Sequence, residues 1–263
     1  MTVTGILPPT FNHPPMTDSI CSGPIEAVIV FAFRLNVGNI ATGEDIWGGS
    51  ANVIPIPPLI GEQMSIVSSS VQDGPAGTGI LTLRLHYMDH NANERYEDLI
   101  MNGTVPVNTV ATDIRFVNDI HALTAGTTKA AVGNITIFPV GVPATVYNEI
   151  VAGQTHQNNS SRMVPAGKFL LIDWYQVAPA SNGSGDISLR ATSHNGELIS
   201  ITPPTTIFLT LDNYGLYQAS GYTYYSTPII VPSLAIVKCS AFNTSGTPNV
   251  QCSWGGRFVT SPI

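Results

Sequence analysis

Charged side chains are scarce in this sequence. Of its 263 residues, 10 are Lys or Arg and 17 are Asp or Glu, so charged residues make up 10%, whereas about 25% is typical of soluble domains. The cations stand singly and the formal net charge is −7. We therefore expect no nucleic-acid partner, because phosphate binding needs clustered Lys and Arg. So few charges favour a protein that packs against other proteins over a free enzyme.

We also find no sequence pattern typical of a membrane-spanning or a secretory segment. The apolar run at residues 27–33 is too short to cross a bilayer, and we expect no membrane partner. The first twenty residues hold four Pro and no Lys or Arg, which is unlike a secretory signal. We therefore expect synthesis in the cytoplasm.

Cysteine is rare, and the sequence contains no C-x-x-C pair of the kind that holds zinc. Its three cysteines are Cys21, Cys239 and Cys252. In a reducing compartment we expect free buried thiols. A disulfide between Cys239 and Cys252, on adjacent strands, is the alternative. No cofactor is predicted.

The pattern that is present is that of β-strands and turns. No stretch shows the apolar period of an amphipathic helix, while residues 80–88 alternate polar and apolar side chains and return after a turn at 89–93. Asn102-Gly103 is a strong turn signal. We predict an all-β protein with an extended Pro-rich arm at residues 1–22 and two β-sandwich or jelly-roll-like domains, at 23–140 and 141–263.

The N-terminal arm carries a few apolar side chains between its prolines. Phe11, Met16 and Ile20 give it groups that could dock on a neighbouring chain, and such docking is our prediction. The alternative is a disordered terminus.

Several short motifs follow one another between residues 40 and 138. They are TGEDIWGG at 42–49, VSSS at 67–70, GTG at 77–79 with Asp89, NGTVPV at 102–107, Arg115, and Ala125-Gly126 with VGNITI at 132–137. In this order they resemble virion proteins of tailed phages, particularly marine and cyanobacterial podophages. The second half is similar to partner domains of such proteins through VPAGK at 164–168, before Trp174, and PIIVP at 228–232.

This resemblance implies a structural component of the virion and does not imply an active site. We expect a capsid decoration (cement) or head-fibre protein that forms a homo-oligomer, a trimer by similarity to phage appendages, and contacts the major capsid protein or other virion proteins. The alternative is a tail-fibre, collar or receptor-binding adhesin that contacts host surface glycan. For the adhesin, Tyr222 and Tyr224 lie in the densest aromatic stretch, which suits recognition. The opposing interpretation places alternate tyrosines in the core or in a subunit contact.

Three patterns that could carry chemistry are better explained structurally. Asp89 begins a calcium-loop spacing, but Glu94 and Ile100 occupy the positions of the required Gly and Glu. Four residues of strand would place His86 and His90 about 13 Å apart, too far for one metal. The densest carboxylates show no catalytic arrangement, so we predict neither a metal site nor an enzyme; they are Glu44, Asp45, Glu94, Glu97 and Asp98.

Overall fold

The structure is a computed structural model that describes residues 26–35, 37–38, 43–179, 183–192, 208–216 and 220–260. The predicted arm, with Phe11, Met16 and Ile20, lies outside these residues, as does Cys21. Over the described ranges no residue is helical, and hence none belongs to a helix that could span a membrane. The all-β prediction is confirmed.

Sixteen strands run through the described residues, all paired antiparallel. In chain order they are β1 (Glu26–Arg34), β2 (Glu44–Asp45), β3 (Met64–Ser68), β4 (Ile80–Met88), β5 (Glu94–Ile100), β6 (Val107–Asn108), β7 (Phe116–Ala125), β8 (Ile135–Pro139), β9 (Asn148–Ile150), β10 (Arg162–Met163), β11 (Phe169–Pro179), β12 (Gly183–Thr192), β13 (Phe208–Leu216), β14 (Gly221–Val231), β15 (Ile236–Gly246) and β16 (Val250–Val259).

Strands from both ends of the described chain form one sandwich, here called the terminal sandwich. One sheet has the order β1-β16-β11-β14, and the other has the order β10-β15-β12-β13 with β2 paired to β15. Alternate residues of each strand point inward, as the two-residue period of a strand requires. They meet in a core that includes Val30, Ile172, Leu189, Val237 and Trp254.

The middle of the chain forms a second sandwich, here called the central sandwich. Its sheets have the orders β6-β3-β8-β9 and β5-β4-β7. Ile66 and Ile137 from the first sheet pack with Leu83, Leu85 and Ile120 from the second. The predicted hairpin is the β4–β5 pair, and the predicted Asn102-Gly103 turn is present, with Gly103 at a φ of 59° that favours glycine.

A small apolar cluster joins the two sandwiches. Met88 and Phe116 of the central sandwich pack with Met163 and Ile236 of the terminal sandwich. A backbone hydrogen bond from the Ala166 N–H to the Ala92 carbonyl, 2.9 Å long, reinforces this junction. The β4–β7 sheet is thereby held beside β10.

Strand pairing departs from the predicted grouping at the start of the chain. Residues 26–34 and 44–45 lie within the predicted 23–140 domain, but β1 pairs along its whole length with β16 and β2 pairs with β15. Local patterns could not reveal these partners, which lie some two hundred residues away in the sequence. The domain ranges themselves stay a prediction. Cys239 and Cys252 are free and buried, as predicted.

Candidate functional site

Two surfaces stand out, and the first is the solvent side of the β1-β16-β11-β14 sheet, here called the outer face. Residues directly opposite one another in antiparallel strands project to the same side. One cross-strand row therefore runs through Ile29, Gly255, Trp174 and Tyr224, and the next runs through Phe31, Ser253, Gln176 and Tyr222.

The outer face is apolar and aromatic at both edges of the sheet. Ile29 is 71% exposed and Phe31 53% on β1, while Tyr222 and Tyr224 are 53% and 46% exposed on β14. Ile230 extends the patch along β14 with 51% exposure. Contiguous apolar surface of this kind marks a contact site more often than isolated exposed residues do.

Glycine and a local bulge shape the middle of the outer face. A Cβ atom on Gly255 would lie 2.6 Å from ring atoms of Trp174, so only glycine lets the indole lie across β16. The indole stacks on Tyr222 with ring centroids 6.3 Å apart. At the bulge beside Trp174, Asp173 accepts hydrogen bonds from Arg257 at 2.5 and 2.6 Å. The face thus carries a charged pair that neutralises itself.

The tyrosine-rich stretch divides between surface and interior. Tyr222 and Tyr224 are exposed, which contradicts the interpretation that these two fill the core. Tyr214 and Tyr225 pack against the core instead. The Tyr225 hydroxyl donates to Asp212 at 2.5 Å, and burial, followed by the bond to this carboxylate, raises its pKa. Among the described tyrosines of this stretch, Tyr222 and Tyr224 are therefore the ones exposed enough to contact a partner.

Four of the carboxylates considered for catalysis accept hydrogen bonds from other groups of the chain. Glu44 accepts from Arg34 at 2.6 Å, and Asp45 accepts from the buried Lys238 at 2.7 Å. Glu97 accepts from the Val110 N–H at 2.7 Å. Asp98 pairs with Arg84 through two bonds of 2.7 and 2.8 Å.

The calcium-like spacing at Asp89 forms a polar hairpin turn. The Asp89 carboxylate accepts from the N–H groups of Asn91 and Asn93 at 3.0 and 2.9 Å, and from Arg95 at 3.2 Å. Burial alone would raise the pKa of Asp89, but these bonds outweigh it and the pKa is lowered. The carboxylate oxygens are thus directed at the turn itself.

The second surface is a row of rings across the solvent side of the β5-β4-β7 sheet, here called the histidine row. It consists of His86 on β4, His121 on β7 and His156, which continues the sheet through an isolated bridge to His121. The ring centroids of His86 and His121 are 5.5 Å apart, and those of His121 and His156 are 5.7 Å apart. Tyr96 on β5 adds a fourth ring, 6.1 Å from His86.

The carboxylate of Asp119 contacts two of the three imidazoles of the histidine row. It is opposite His86 in the β4–β7 register and only 5% exposed. One carboxylate oxygen lies 2.7 Å from His121 Nδ1 and the other lies 2.7 Å from His156 Nε2. One potential ligand atom from each of His86, Asp119 and His121 lies within 4.8 Å of the others.

The surroundings of the histidine row lower the pKa of both Asp119 and His86. Burial would raise the pKa of Asp119, but His156, Arg162 and His121 together outweigh it and hold the pKa at about 2. Burial lowers the pKa of His86. Such a combination is able to coordinate a cation through nitrogen and oxygen.

Sequence reasoning missed this cluster because it considered His86 with the wrong partner. His90 lies in the hairpin turn beside Asp113, 2.6 Å away, whereas the two residues that form the cluster with His86 come from β7. Asp119 and His121 are two residues apart on β7 and therefore share a face, and this spacing is the sequence signal that could have found the pair. The β4–β7 register that brings them to His86 could not be read from sequence.

Comparison with known proteins gives no family assignment. No family model matches the chain, and no curated protein matches it. Among solved structures, the chain is similar to one from the infectious bursal disease virus Gt strain, with 12% identity over 91% of this chain and 68% of that one, at a TM-score of 0.22. A mutant VP2 protein of the same virus, from T=1 particles, is similar at 10% identity over 91% of this chain and 78% of that one, with a TM-score of 0.20.

Proposed function

We propose that the protein is a non-enzymatic structural component of a tailed-phage virion, a capsid decoration or head-fibre protein that acts by packing against neighbouring subunits. The outer face is the observation that carries this proposal. It spans all four strands of a sheet, is rich in aromatic and aliphatic side chains, and its charged pair is internally neutralised. Burying such a face against protein removes apolar area from water. The Arg257–Asp173 pair is already mostly buried, with side-chain exposures of 20% and 18%, so little further charge has to be desolvated.

The proposed occupant of the outer face is a second copy of this chain, although the net charge of the chain opposes association. Two chains that each carry a formal charge of −7 repel one another. Contact through a face whose Asp173 carboxylate is already paired with Arg257 keeps further negative groups out of the interface. We therefore propose a homo-oligomer, with three subunits as the symmetry suggested by phage appendages, which then joins the major capsid protein.

The motifs that resemble phage virion proteins have structural roles in this chain, in keeping with the proposal. Asp73 follows VSSS and is fully buried. Its carboxylate accepts from the Ser68 hydroxyl at 2.6 Å and from the N–H groups of Ile80 and Gly133, each at 2.9 Å. Trp47 is buried, and a Cβ on Gly49 would lie 2.1 Å from its ring. These groups stabilise loops and serve no evident chemistry.

The test is the copy number of the protein in purified particles. Gel bands scaled to the major capsid protein should give tens to hundreds of copies per particle for a decoration protein. A few copies per particle would favour a fibre, and absence from particles would overturn the proposal.

An adhesin that binds host glycan is the second candidate, and the exposed aromatic group is the observation in its favour. Trp174, Tyr222 and Tyr224 lie on the same face of the sheet, with Trp174 stacked on Tyr222. Flat aromatic surfaces can stack on sugar rings. The same residues belong to the outer face, so adsorption of particles to cells, measured with tyrosine variants, distinguishes the two candidates.

A further inference from the structure

The geometry points to a binding site for a divalent transition metal, of which zinc is the representative, held by His86, Asp119 and His121 on the β4–β7 sheet. These side chains offer two imidazole nitrogens and one carboxylate oxygen, the donor types that zinc takes from proteins. Their potential ligand atoms lie within 4.8 Å of one another. A divalent ion bound here would also neutralise part of the chain's negative charge.

The distances leave only a short adjustment before coordination. Donors placed about 2.1 Å from a tetrahedral zinc ion are about 3.4 Å apart. The three ligand atoms, which all lie within 4.8 Å of one another, therefore have to approach by at most about 1.4 Å. Rotation of the His86 and His121 rings, which are intermediate in exposure, can supply this movement without shifting the paired strands.

The backbone already fixes the three groups relative to one another. His86 and Asp119 are opposite each other in the β4–β7 register, and His121 lies two residues beyond Asp119 on the same strand. Asp119 is buried, which restricts its carboxylate to few orientations. A site whose ligands come from two paired strands is preorganised, so binding costs little conformational entropy.

His156 acts as a positioning residue in this site. Its Nε2 atom lies 2.7 Å from Asp119 Oδ1, and its side chain is 58% exposed. Contacts of this kind orient a ligating carboxylate, and their loss typically weakens metal binding about 10- to 100-fold. His156 could also turn to fill a fourth coordination position, since its ring is adjacent to that of His121.

Arg162 is the main electrostatic opponent of a bound cation. Its positive charge acts on Asp119, and its guanidinium donates to the Asn118 carbonyl. Two imidazoles that bind through covalent character, beyond simple attraction, offset this repulsion for zinc but not for a hard cation such as calcium. The site should therefore prefer zinc or cobalt(II) over calcium.

The position of the site suggests what the metal would do. His156 and Arg162 line a cleft of about 300 Å³ together with Ile29 and Phe31 of β1. A metal that joins β4 to β7 beside this cleft would stiffen the central sandwich where it meets the terminal one. Ligand binding to the folded state alone raises stability by mass action.

Titration of the full chain, without a polyhistidine tag, with zinc chloride and with cobalt(II) chloride tests the proposal. We expect one ion per chain, a rise in melting temperature with zinc, and the visible absorption of four-coordinate cobalt(II). His86→Ala should reduce zinc affinity at least 100-fold, and His156→Ala should reduce it about tenfold. Calcium chloride should cause no comparable rise.

His90→Ala is the matched control, because His90 belongs to the same hairpin but lies beside Asp113. It should bind zinc like the unaltered chain. Melting each variant without metal shows whether it folds, so a loss of binding in a folded His86→Ala protein supports the site. No zinc-dependent rise in the unaltered chain, or an equal rise in His86→Ala, would overturn it.

Discussion

The solvent-facing sides of the two sandwiches differ in chemistry although both are antiparallel sheets. On the terminal sandwich, the outer face presents Ile29, Phe31 and exposed tyrosines around one neutralised charged pair. On the central sandwich, the β5-β4-β7 sheet presents titratable rings above Asp119. Antiparallel sheets of one chain can therefore present an apolar face that suits contact with protein, and a polar face whose side chains suit binding of an ion.

The two sandwiches also differ in the burial of their ion pairs. Breaking the buried pair should give the largest loss of stability among our predictions. Lys238 and Asp45 form a buried pair in the terminal sandwich, 2.7 Å apart. Lys238→Met should destabilise the protein by about 3–5 kcal/mol, because it leaves the Asp45 charge buried without its cation. Urea unfolding measures the loss. Arg84→Met, at the more exposed pair with Asp98 in the central sandwich, is the control and should leave the urea midpoint almost unchanged.

The next prediction concerns self-association of the chain through the outer face. Light scattering of the unaltered chain should give three times the chain mass of 27.9 kDa. The double variant Ile29→Thr with Phe31→Thr should dissociate at least tenfold more readily, because it removes apolar area, while threonine suits a β-strand at both positions.

Val110→Thr provides the matched control for that experiment. Val110 is 87% exposed on the central sandwich, away from the outer face, so its substitution should leave the mass unchanged. A single-chain mass for the unaltered protein at micromolar concentration would contradict the proposed oligomer.

A buried carboxyl in the central sandwich makes stability depend on pH. Burial raises the pKa of Glu149 from its ordinary value of 4.5 to about 7, despite a hydrogen bond to Asn134 that lowers it. The folded state then keeps a proton that the unfolded chain has released, so stability falls as pH rises from 4.5 to 7. Between pH 5 and pH 8 we expect a loss of about 2 kcal/mol at this group.

Glu149→Gln should remove this contribution. Urea midpoints of the variant and the unaltered chain, compared at pH 5 and pH 8, isolate it from other titrating groups. We expect the variant to gain stability relative to the unaltered chain at pH 8 but not at pH 5. An equal difference at both values would show that Glu149 titrates normally.

The smallest expected stability effect is at the exposed tyrosines. Replacing Tyr222 and Tyr224 by Ala should cost less than about 1 kcal/mol, since both side chains are near half exposed. For a decoration protein, particles that incorporate this variant should adsorb to host cells as the unaltered particles do. Reduced adsorption by stable mutant particles would instead favour the glycan-binding adhesin.

Local sequence patterns predicted much of the secondary structure. The alternation at residues 80–88 predicted β4 and its hairpin with β5, and it placed His86 opposite the apolar side. Alternation could not predict pairing between strands that are far apart in the sequence, because the patterns of β1 and β16 are compatible with many partner strands. The histidine row depends on such pairing, because His86, His121 and His156 come from three separate segments. Likewise, alternation placed Tyr222 and Tyr224 on one side of a strand but could not say which side faces solvent.

The most direct test of the account is whether the outer face directs assembly into virions. Particles should be produced with the Ile29→Thr, Phe31→Thr double variant or with Val110→Thr, and the incorporated protein quantified against the major capsid protein. We predict at least a tenfold loss of incorporation for the double variant, with circular dichroism showing an intact β-fold, and normal incorporation for Val110→Thr. Equal incorporation of both variants would contradict the role assigned to the outer face.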